Sequence, residues 1–340
     1  MKNQYVGDIG DYGKYSLLRF LAENNVRIGV NWYLTKNDGS TDGKFTEYLK
    51  NGDEAVYDNV VFNKLKMIAG RADKTVQDIE KENLLSGALY YSELIPEDVV
   101  DTRGRDINRR LWFNNSLLLL KDAALVFADP DNGISFRKKA GHKGSEKYVL
   151  PEEVTKYYYQ GQNVVFYCHK GRRTADAWEQ TKTGIKEYLP DAQLIVLTFH
   201  RGTQRSYIFV LHPDDYARFD DILTGFIASN WGCFFTREPV SESKMNTMRV
   251  ATMSFRLHAP WVHSLKEKRM IVKSLVTKLQ NKFHVSAAEI DEQDTHQIIV
   301  IGVAAIVPHN AMADSLMDEI SLFVEENCEA EILDEDREIR

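Results

Sequence analysis

Residues 163–169 read Asn-Val-Val-Phe-Tyr-Cys-His, and this run decides the class of fold. Its apolar residues follow one another without alternation, which is the pattern of a strand buried on both faces. Further strands are predicted at Ile28–Leu34, Ala88–Glu93, Ala124–Ala128, Gln193–His200 and Ser206–His212. The predicted helices are Lys14–Asn24, Asn59–Ala69, Asp106–Lys121, Pro151–Gln160, Arg173–Tyr188 and Pro213–Ser229. Strands that alternate with helices predict an α/β fold with a mostly parallel sheet.

The last two of these strands have a different connection. Only residues 201–205, Arg-Gly-Thr-Gln-Arg, separate Gln193–His200 from Ser206–His212. Such a short connection predicts an antiparallel hairpin, because a parallel crossover needs a dozen or more residues. A parallel sheet closed by one antiparallel edge hairpin is typical of Rossmann-like folds, which include the class I methyltransferases. We therefore predict that residues 1–235 form a Rossmann-like catalytic domain.

A second domain follows a polar segment. Residues 236–247 read TREPVSESKMNT, without apolar periodicity, and are predicted to be a linker. Residues 248–340 then give the order βαββαβ, which predicts a ferredoxin-like α+β domain. Its strands are Arg249–Leu257, Val285–Asp291, His296–Ile306 and Ala330–Asp334, and its helices are Ser264–Lys282 and Ala311–Asn327. Ser264 and Glu267 have the spacing of a capping box at the start of the first helix.

Composition excludes several classes of protein. The chain has 340 residues and a formal net charge of −7, so it has no global basic field for nucleic acid. It contains no run of 18 apolar residues and no hydrophobic signal core near its start, and its three cysteines lie far apart in the sequence. We expect a cytoplasmic protein with no membrane partner, and any nucleic-acid site must be a local basic patch.

The segment with the most chemical information follows the third strand. Residues 126–134 read Val-Phe-Ala-Asp-Pro-Asp-Asn-Gly-Ile, so Asp129 lies at the carboxyl end of a parallel strand, where such folds bind ligands. A second carboxylate, Asp131, offers another interpretation: the two could hold Mg²⁺ or Mn²⁺, which prefer oxygen ligands. The same residues also suit a plain turn, since each is a turn former.

A second motif precedes the first predicted helix. Residues 5–15 read Tyr-Val-Gly-Asp-Ile-Gly-Asp-Tyr-Gly-Lys-Tyr, and their glycines allow close approach of the backbone to a ligand. A capped helix with a solvated charged face is the alternative. The spacing of Gly7, Asp11 and Lys14 resembles the N-terminal signature of the RlmJ-type adenine-N6 methyltransferases of ribosomal RNA.

The resemblance implies an S-adenosylmethionine site. Lys14 and Asp38 would lie near the cofactor, together with Gly7, Asp11 and Gly39, and Asp129 would receive the target amino group. The family reads Asp-Pro-Pro-Tyr where this chain has Asp-Pro-Asp-Asn, so the aromatic ring that stacks on a flipped base is missing here. The loop after the first strand also departs from the family pattern, because Thr35 and Lys36 stand where an acidic residue is common in the family.

Two basic clusters follow the fourth and fifth strands. The first contains His169, Lys170, Arg172 and Arg173, and the second contains His200, Arg201 and Arg205. Together they are predicted to bind phosphates, although either cluster alone could be a solvated turn. His169 is the candidate general base.

The C-terminal residues resemble another family. SLKEKR at 264–269 and FHVSAAEIDEQDTHQ at 283–297 are similar to the YlxP family of small bacterial proteins. This resemblance implies a ribosome- or RNA-related role, and we expect docking or homodimerisation from this domain.

Three hypotheses follow for the whole chain. The first is a nucleic-acid-directed, adenosylmethionine-dependent methyltransferase-like protein that acts on RNA. The second is a Mg²⁺- or Mn²⁺-dependent nuclease or phosphodiesterase that uses Asp129 and Asp131. The third is a non-enzymatic scaffold that binds a nucleotide or the ribosome.

Overall fold

The chain folds into two compact units, Met1–Ser241 and Glu242–Arg340. The structure is a computed structural model, and it describes residues 1–39, 45–97, 101–171, 173–240, 249–307 and 310–339. The predicted linker, 236–247, differs at its start, because Thr236 already belongs to a strand that ends at Glu238. Residues 241–247 of that prediction lie outside the described residues.

The first unit is built on a mostly parallel sheet with helices on both faces. The strands are β1 Ile28–Asn31, β2 Leu89–Tyr91, β3 Leu125–Ala128, β4 Asn163–His169, β5 Gln193–Phe199, β6 Arg205–Leu211 and β7 Phe235–Glu238. The helices are α1 Ile9–Glu23, α2 Tyr48–Asn51, α3 Asn59–Ala69, α4 Val76–Lys81, α5 Thr102–Leu119, α6 Pro151–Tyr159, α7 Ala175–Thr183 and α8 Pro213–Ala228. Within the described residues the strand order is β2-β1-β3-β4-β6-β5-β7.

Four neighbouring strands of the sheet pair in parallel, and the remaining strands pair antiparallel. Strands β2, β1, β3 and β4 pair in parallel, whereas β6 is antiparallel to both β4 and β5. The predicted antiparallel hairpin of β5 and β6 is confirmed. Its predicted place at the edge of the sheet is wrong, because β7 pairs with β5 and forms that edge. Two cores explain the apolar runs: Phe127 and Val165 pack in one layer, and Val126 and Phe166 pack in the other.

Two element boundaries differ from the prediction for local reasons. Helix α1 begins at Ile9 and not at Lys14, because the Asp8 carboxylate caps it and accepts a hydrogen bond from the Asp11 amide at 3.0 Å. Strand β1 ends at Asn31 and not at Leu34, because Tyr33 has a φ of 44°, in the left-handed region. Both changes lie at the carboxyl-end edge of the parallel strands or beside it.

The second unit has a separate antiparallel sheet. Its elements are β8 Arg249–His258, α9 Leu265–Phe283, β9 Ser286–Asp291, β10 Ile298–Val307, α10 Asn310–Asn327 and β11 Glu331–Ile339. The strand order is β11-β8-β10-β9, and each neighbouring pair is antiparallel. The predicted capping box is present in part: the Ser264 hydroxyl accepts the Glu267 amide at 3.3 Å, but the Glu267 carboxylate accepts the amide of His263 at 2.9 Å and not that of Ser264. In the described part of the chain, every helix is too short or too polar to cross a bilayer.

Candidate ligand site at the carboxyl ends of the parallel strands

The strand order identifies the position between β1 and β3 as the candidate ligand crevice. From β1 the sheet continues to β2 on one side and to β3 on the other, so β1 and β3 flank a topological switch point. Open α/β sheets bind ligands outside the carboxyl ends of the strands at such a point. Tyr33 follows β1 there, and Asp129 follows β3, with its amide donating to the Asn31 carbonyl at 3.0 Å.

A buried ion triad joins the two sequence motifs at this edge. The Lys14 ammonium lies 2.7 Å from Asp11 Oδ1 and 2.8 Å from Asp129 Oδ2, and all three side chains are buried. The Asp11 carboxylate also accepts the Gly7 amide at 2.8 Å. Burial lowers the pKa of Lys14, but the carboxylates of Asp11 and Asp129 outweigh it and raise this pKa well above its ordinary value. Lys14 is therefore a fixed cation.

Aromatic side chains surround this triad. In the parallel register Ala128 pairs with Phe166, so the next residues, Asp129 and Tyr167, lie side by side. Tyr167 in turn pairs with Tyr207 of β6. The Tyr15 ring centroid is 4.7 Å from Lys14 Nζ. The hydroxyl groups of Tyr15 and Tyr207 are buried, and neither has a hydrogen-bond partner among the described residues.

The first two residues of the sequence lie in the crevice. The Met1 amino group donates to the carbonyls of Tyr33 at 3.1 Å and Asp129 at 2.9 Å, and it lies 2.9 Å from Asp131 Oδ1. Lys2 Nζ binds Asp38 Oδ2 at 2.6 Å. The candidate cofactor residue Asp38 is thus held in an ion pair. A ligand that enters the crevice must exchange with these contacts.

Tyr33 is held in its strained conformation by a second buried ion pair. Its hydroxyl donates to Glu153 Oε2 at 3.1 Å, and Arg109 Nε lies 2.8 Å from Glu153 Oε1. Arg109 also donates to the carbonyls of Ser145 at 2.7 Å and Tyr148 at 2.6 Å. Backbone strain that surrounding contacts maintain is characteristic of ligand sites. This network therefore shapes one wall of the crevice.

The basic clusters meet across the β4–β6 pair, where His169 is opposite Arg205. Two of the predicted phosphate ligands are already paired: Arg205 lies 2.7 Å from Asp8, and Arg201 lies 2.6 Å from Glu54. The remaining contacts are Arg173 to the His169 carbonyl, His200 to Thr236 at 2.7 Å, and Lys170 over the Trp178 ring at 5.6 Å. Arg172 lies outside the described residues. The patch is thus partly neutralised by its own carboxylates.

His169 has the electrostatics of a proton acceptor. Burial lowers its pKa below the ordinary 6.5, and the nearby charges of Arg205 and Arg173 lower it further. The imidazole is therefore neutral at neutral pH and can accept a proton.

The structure offers little support for a divalent metal. Asp129 is 2.8 Å from the Lys14 ammonium, and Asp131 is 2.9 Å from the Met1 amino group. Within the described residues, no three or more His, Cys, Asp or Glu side chains form a group that could hold a metal ion. Both carboxylates of the metal hypothesis are therefore already matched by cations.

Four contributors to this edge were not predicted from the sequence. Tyr167 and Tyr207 were assigned only to strands, and their common face depends on a register that spans three chain segments. Arg109 lies in the charged run 103–110, a pattern typical of a solvated helix face, yet it is buried. Glu93 follows β2 with an exposed carboxylate. Glu93 could have been found from its position, because it is an acidic residue at the end of the predicted strand Ala88–Glu93.

The fold and this edge define a two-unit α/β protein with a candidate ligand crevice in its first unit. The second unit matches the family model "Protein of unknown function (DUF503)" over residues 250–337. The chain is also 38% identical to "Uncharacterized protein YlxP" of Bacillus subtilis (strain 168) over 68 residues, which are 20% of this chain and 74% of that protein. Through its second unit, the chain belongs to this family. These matches are reported for the second unit, so the methyltransferase resemblance of the first unit stays a prediction.

Proposed function

We propose that the first unit is an adenosylmethionine-dependent methyltransferase-like enzyme that acts on RNA in the cytoplasm. The observation that carries this proposal is the position of Asp129 at the β1–β3 switch point, where Lys14 connects it to the Gly7–Asp11 motif. A carboxylate at this point is suited to accept hydrogens from an amino group of a substrate.

Two features of the edge fit an adenosyl ligand. Glu93 at the end of β2 offers a carboxylate for ribose hydroxyls, as in other dinucleotide- and nucleoside-binding sheets. The unpartnered hydroxyls of Tyr15 and Tyr207 offer buried polar contacts beside Lys14. Gly7, Asp11, Lys14, Asp38 and Gly39 would lie along the cofactor, which would supply the methyl group.

The chain's own residues would prepare the substrate. Asp129 would accept the amino hydrogens in exchange for part of its contact with Lys14. Tyr167, beside Asp129, would supply an aromatic ring that the Asp-Pro-Asp-Asn segment lacks. His169 would accept a proton, and Lys170 and Arg173 would bind phosphates.

For the second unit we propose a ferredoxin-like arrangement. The chain order βαββαβ and the strand order β11-β8-β10-β9, with antiparallel neighbours, support it. A ribosome-related docking role for this unit rests on the YlxP resemblance alone.

One observation favours a second candidate, the non-enzymatic scaffold. Met1 and Lys2 already provide cations to Asp131, at 2.9 and 3.7 Å, and the Met1 amino group donates to the carbonyls of Tyr33 and Asp129. A scaffold would keep these contacts permanently, whereas an enzyme must open them to bind its ligand.

Transfer of a labelled methyl group distinguishes these functions. Purified full-length protein is incubated with tritiated adenosylmethionine and unmodified ribosomal RNA transcripts, alone and with a chelator. We expect label in RNA from the wild-type protein, and a loss of about a hundredfold or more in Asp129→Asn. The matched control, Asp122→Asn, changes an exposed carboxylate near the other end of β3 and should keep full activity.

Two other outcomes would support one of the alternative functions. Chelator-sensitive cleavage of the RNA would support the nuclease hypothesis. The scaffold hypothesis would be supported if no label is transferred to any transcript and if the wild-type protein and Asp129→Asn retain RNA equally.

A further inference from the structure

Charge in the second unit is unevenly distributed along the chain. Residues 265–283, which form α9, include six Lys and Arg and one Glu, whereas residues 310–339 include one Arg and 11 Asp and Glu. Of the six cations, Lys268 is buried and lies 2.8 Å from Glu289 Oε1. The other five are exposed. Helix α9 is therefore a local basic surface on a unit of net negative charge.

Three of these cations lie together on the outer side of the first half of α9. Lys266, Arg269 and Lys273 follow one another at spacings of three and four residues, which makes them neighbours on a helix. At about 100° per residue, they lie about 120° to 180° around the helix from the buried Leu275. We call these three residues the basic stripe.

The basic stripe has no compensating carboxylate within the described residues. There, none of Lys266, Arg269 and Lys273 forms an ion pair. The Glu267 carboxylate, beside them in the sequence, accepts the His263 amide at 2.9 Å. Cations at neighbouring helix positions repel each other, and the helix macrodipole disfavours a cation such as Lys266 in the first turn. The stripe therefore opposes helix stability, and an anionic ligand would relieve this repulsion.

The acidic turn between β9 and β10 lies on the buried side of α9. Lys268, which points away from the basic stripe, donates to the Glu292 carbonyl in this turn. The Glu292 carboxylate binds Arg256 at 2.8 Å. Asp291 and Asp294 border the same turn. Because the turn is reached through the buried Lys268, its carboxylates do not lie along the stripe.

An exposed tryptophan precedes the basic stripe. Trp261 is 44% exposed and lies three residues before Ser264, the N-cap of α9. The other four tryptophans of the chain are buried. Exposed aromatic rings are platforms on which the bases of a single strand stack, and nearby cations bind the phosphates of that strand. Trp261 and the stripe therefore combine the two elements of a surface for single-stranded nucleic acid.

Other polyanions use this surface less completely. A lipid surface needs a wide apolar face on the helix, but Met270 is the single large apolar side chain that α9 exposes in the described part of the chain. An acidic protein segment would match the cations and leave the exposed ring of Trp261 without a role. The exposed His263 lies between Trp261 and the stripe in the sequence, and its imidazole is suited to bind a ribose 2′-hydroxyl, which DNA lacks.

We propose that the second unit binds single-stranded RNA along the first half of α9, with a base stacked on Trp261 and phosphates on the basic stripe. His263 contacts a ribose between them. This binding needs no residue of the first unit and does not rest on the methyltransferase proposal.

The test uses the full-length protein without adenosylmethionine. The probe is a fluorescent single-stranded RNA of about ten nucleotides, and a DNA of the same sequence is the comparison. Binding is measured by fluorescence anisotropy at several salt concentrations. The contact is located by crosslinking of RNA that contains 4-thiouridine, followed by mass spectrometry of the peptides. We expect crosslinks within residues 261–273 and tighter binding of RNA than of DNA.

Two charge-matched variants test the basic stripe. The first combines Lys266→Gln, Arg269→Gln and Lys273→Gln, and the second combines Arg27→Gln, Lys81→Gln and Lys121→Gln, which are exposed in the first unit. We expect the first to weaken RNA binding by about tenfold or more and the second by about twofold or less. The first should also lower the slope of log K against log salt by about 2, because each phosphate contact with a single strand contributes about 0.7. Its melting temperature should equal or exceed that of the wild-type protein, which excludes loss of folding.

Substitutions of Trp261 and His263 test the contacts with base and ribose. Trp261→Ala should weaken RNA binding by about tenfold, whereas Trp261→Phe keeps an aromatic ring and should stay within about threefold of the wild-type protein. His263→Ala should reduce the difference in affinity between RNA and DNA.

Four outcomes would overturn the proposal. The first is equal weakening by both triple variants, or crosslinks confined to the first unit. The second is equal binding of RNA and DNA, which would assign the surface to single strands in general. The third is displacement of RNA by polyglutamate at equal charge concentration, which would favour an acidic protein partner. The fourth is a dimer in sedimentation that the first triple variant dissociates, which would assign the stripe to a second copy. Each leaves methyl transfer by the first unit untouched.

Discussion

At the scale of single residues, charged side chains that look alike in the sequence differ in whether they are buried. Arg109 and Arg110 are adjacent in α5, yet the Arg109 side chain is 2% exposed and the Arg110 side chain is 65% exposed. Sequence periodicity could not separate them, because the buried position is defined by Glu153 and by two carbonyls of a distant loop. The Lys14–Asp129 pair was likewise visible only as two separate motifs.

Replacement of Arg109 with methionine tests this difference. Arg109→Met leaves Glu153 buried without its cation and should lower the free energy of unfolding by about 3 to 5 kcal/mol. Arg110→Met removes only an exposed pair with Asp106 and should change it by less than about 1 kcal/mol. Denaturant unfolding measures both values. Similar costs for the two variants would contradict the assigned role of Arg109.

The titration of His169 is a second test at this scale. Burial and the charges of Arg205 and Arg173 lower its pKa, so NMR titration should place it below 6.5. Arg173→Gln should raise this pKa, because it removes a repulsive charge. The unfolded chain takes up the proton at higher pH than the folded chain, so stability should fall as the pH decreases through 6.5. His169→Asn should lose this part of the pH dependence. A wild-type pKa above 6.5 would refute the electrostatic description.

Elements were predicted best where local pattern and tertiary position agree. Strand β4 was predicted to the residue, since it is apolar on both faces and the polar segment 170–174 follows it. Strand β7 was missed, because Thr236, Arg237 and Glu238 have no strand pattern and form a strand only through pairing with β5. Helix α1 began earlier than predicted because glycines in its first turns conceal the helical pattern.

Those glycines lead to a prediction about α1. A glycine inside a helix normally costs stability relative to alanine. A Cβ atom at Gly13, however, would lie 2.9 Å from the Phe199 ring. Gly13→Ala should therefore lower the free energy of unfolding by about 1 to 3 kcal/mol through overpacking.

Gly225 in α8 is the control for this prediction. Its nearest neighbour, the Phe20 ring, is 3.8 Å from the Cβ position, so alanine fits there. Gly225→Ala should raise the free energy of unfolding by about 0.5 to 1 kcal/mol. Stabilisation by both substitutions would show that α1 does not pack on β5 as described.

At the scale of the whole molecule, each unit has its own core. Leu65 belongs to a core of the first unit and Leu279 to the core of the second. The division into two parts followed from the polar segment and the new strand pattern at residue 249. The ligand crevice could not be predicted to contain Met1, because that contact needs β1, β3 and the chain start together.

Calorimetry tests the independence of the two cores. Leu65→Ala and Leu279→Ala should each cost about 2 to 5 kcal/mol. We expect two thermal transitions, of which each variant lowers a different one. One transition that moves equally in both variants would show a single cooperative unit.

Hydrogen exchange with and without adenosylhomocysteine is the decisive test of a cofactor site in the first unit, because it reports binding and its location together. We expect slower amide exchange in Tyr5–Lys14, in residues 32–39 and in residues 129–134, with the second unit unchanged. Unchanged exchange at saturating ligand, or protection confined to the second unit, would contradict a cofactor site at the β1–β3 crevice.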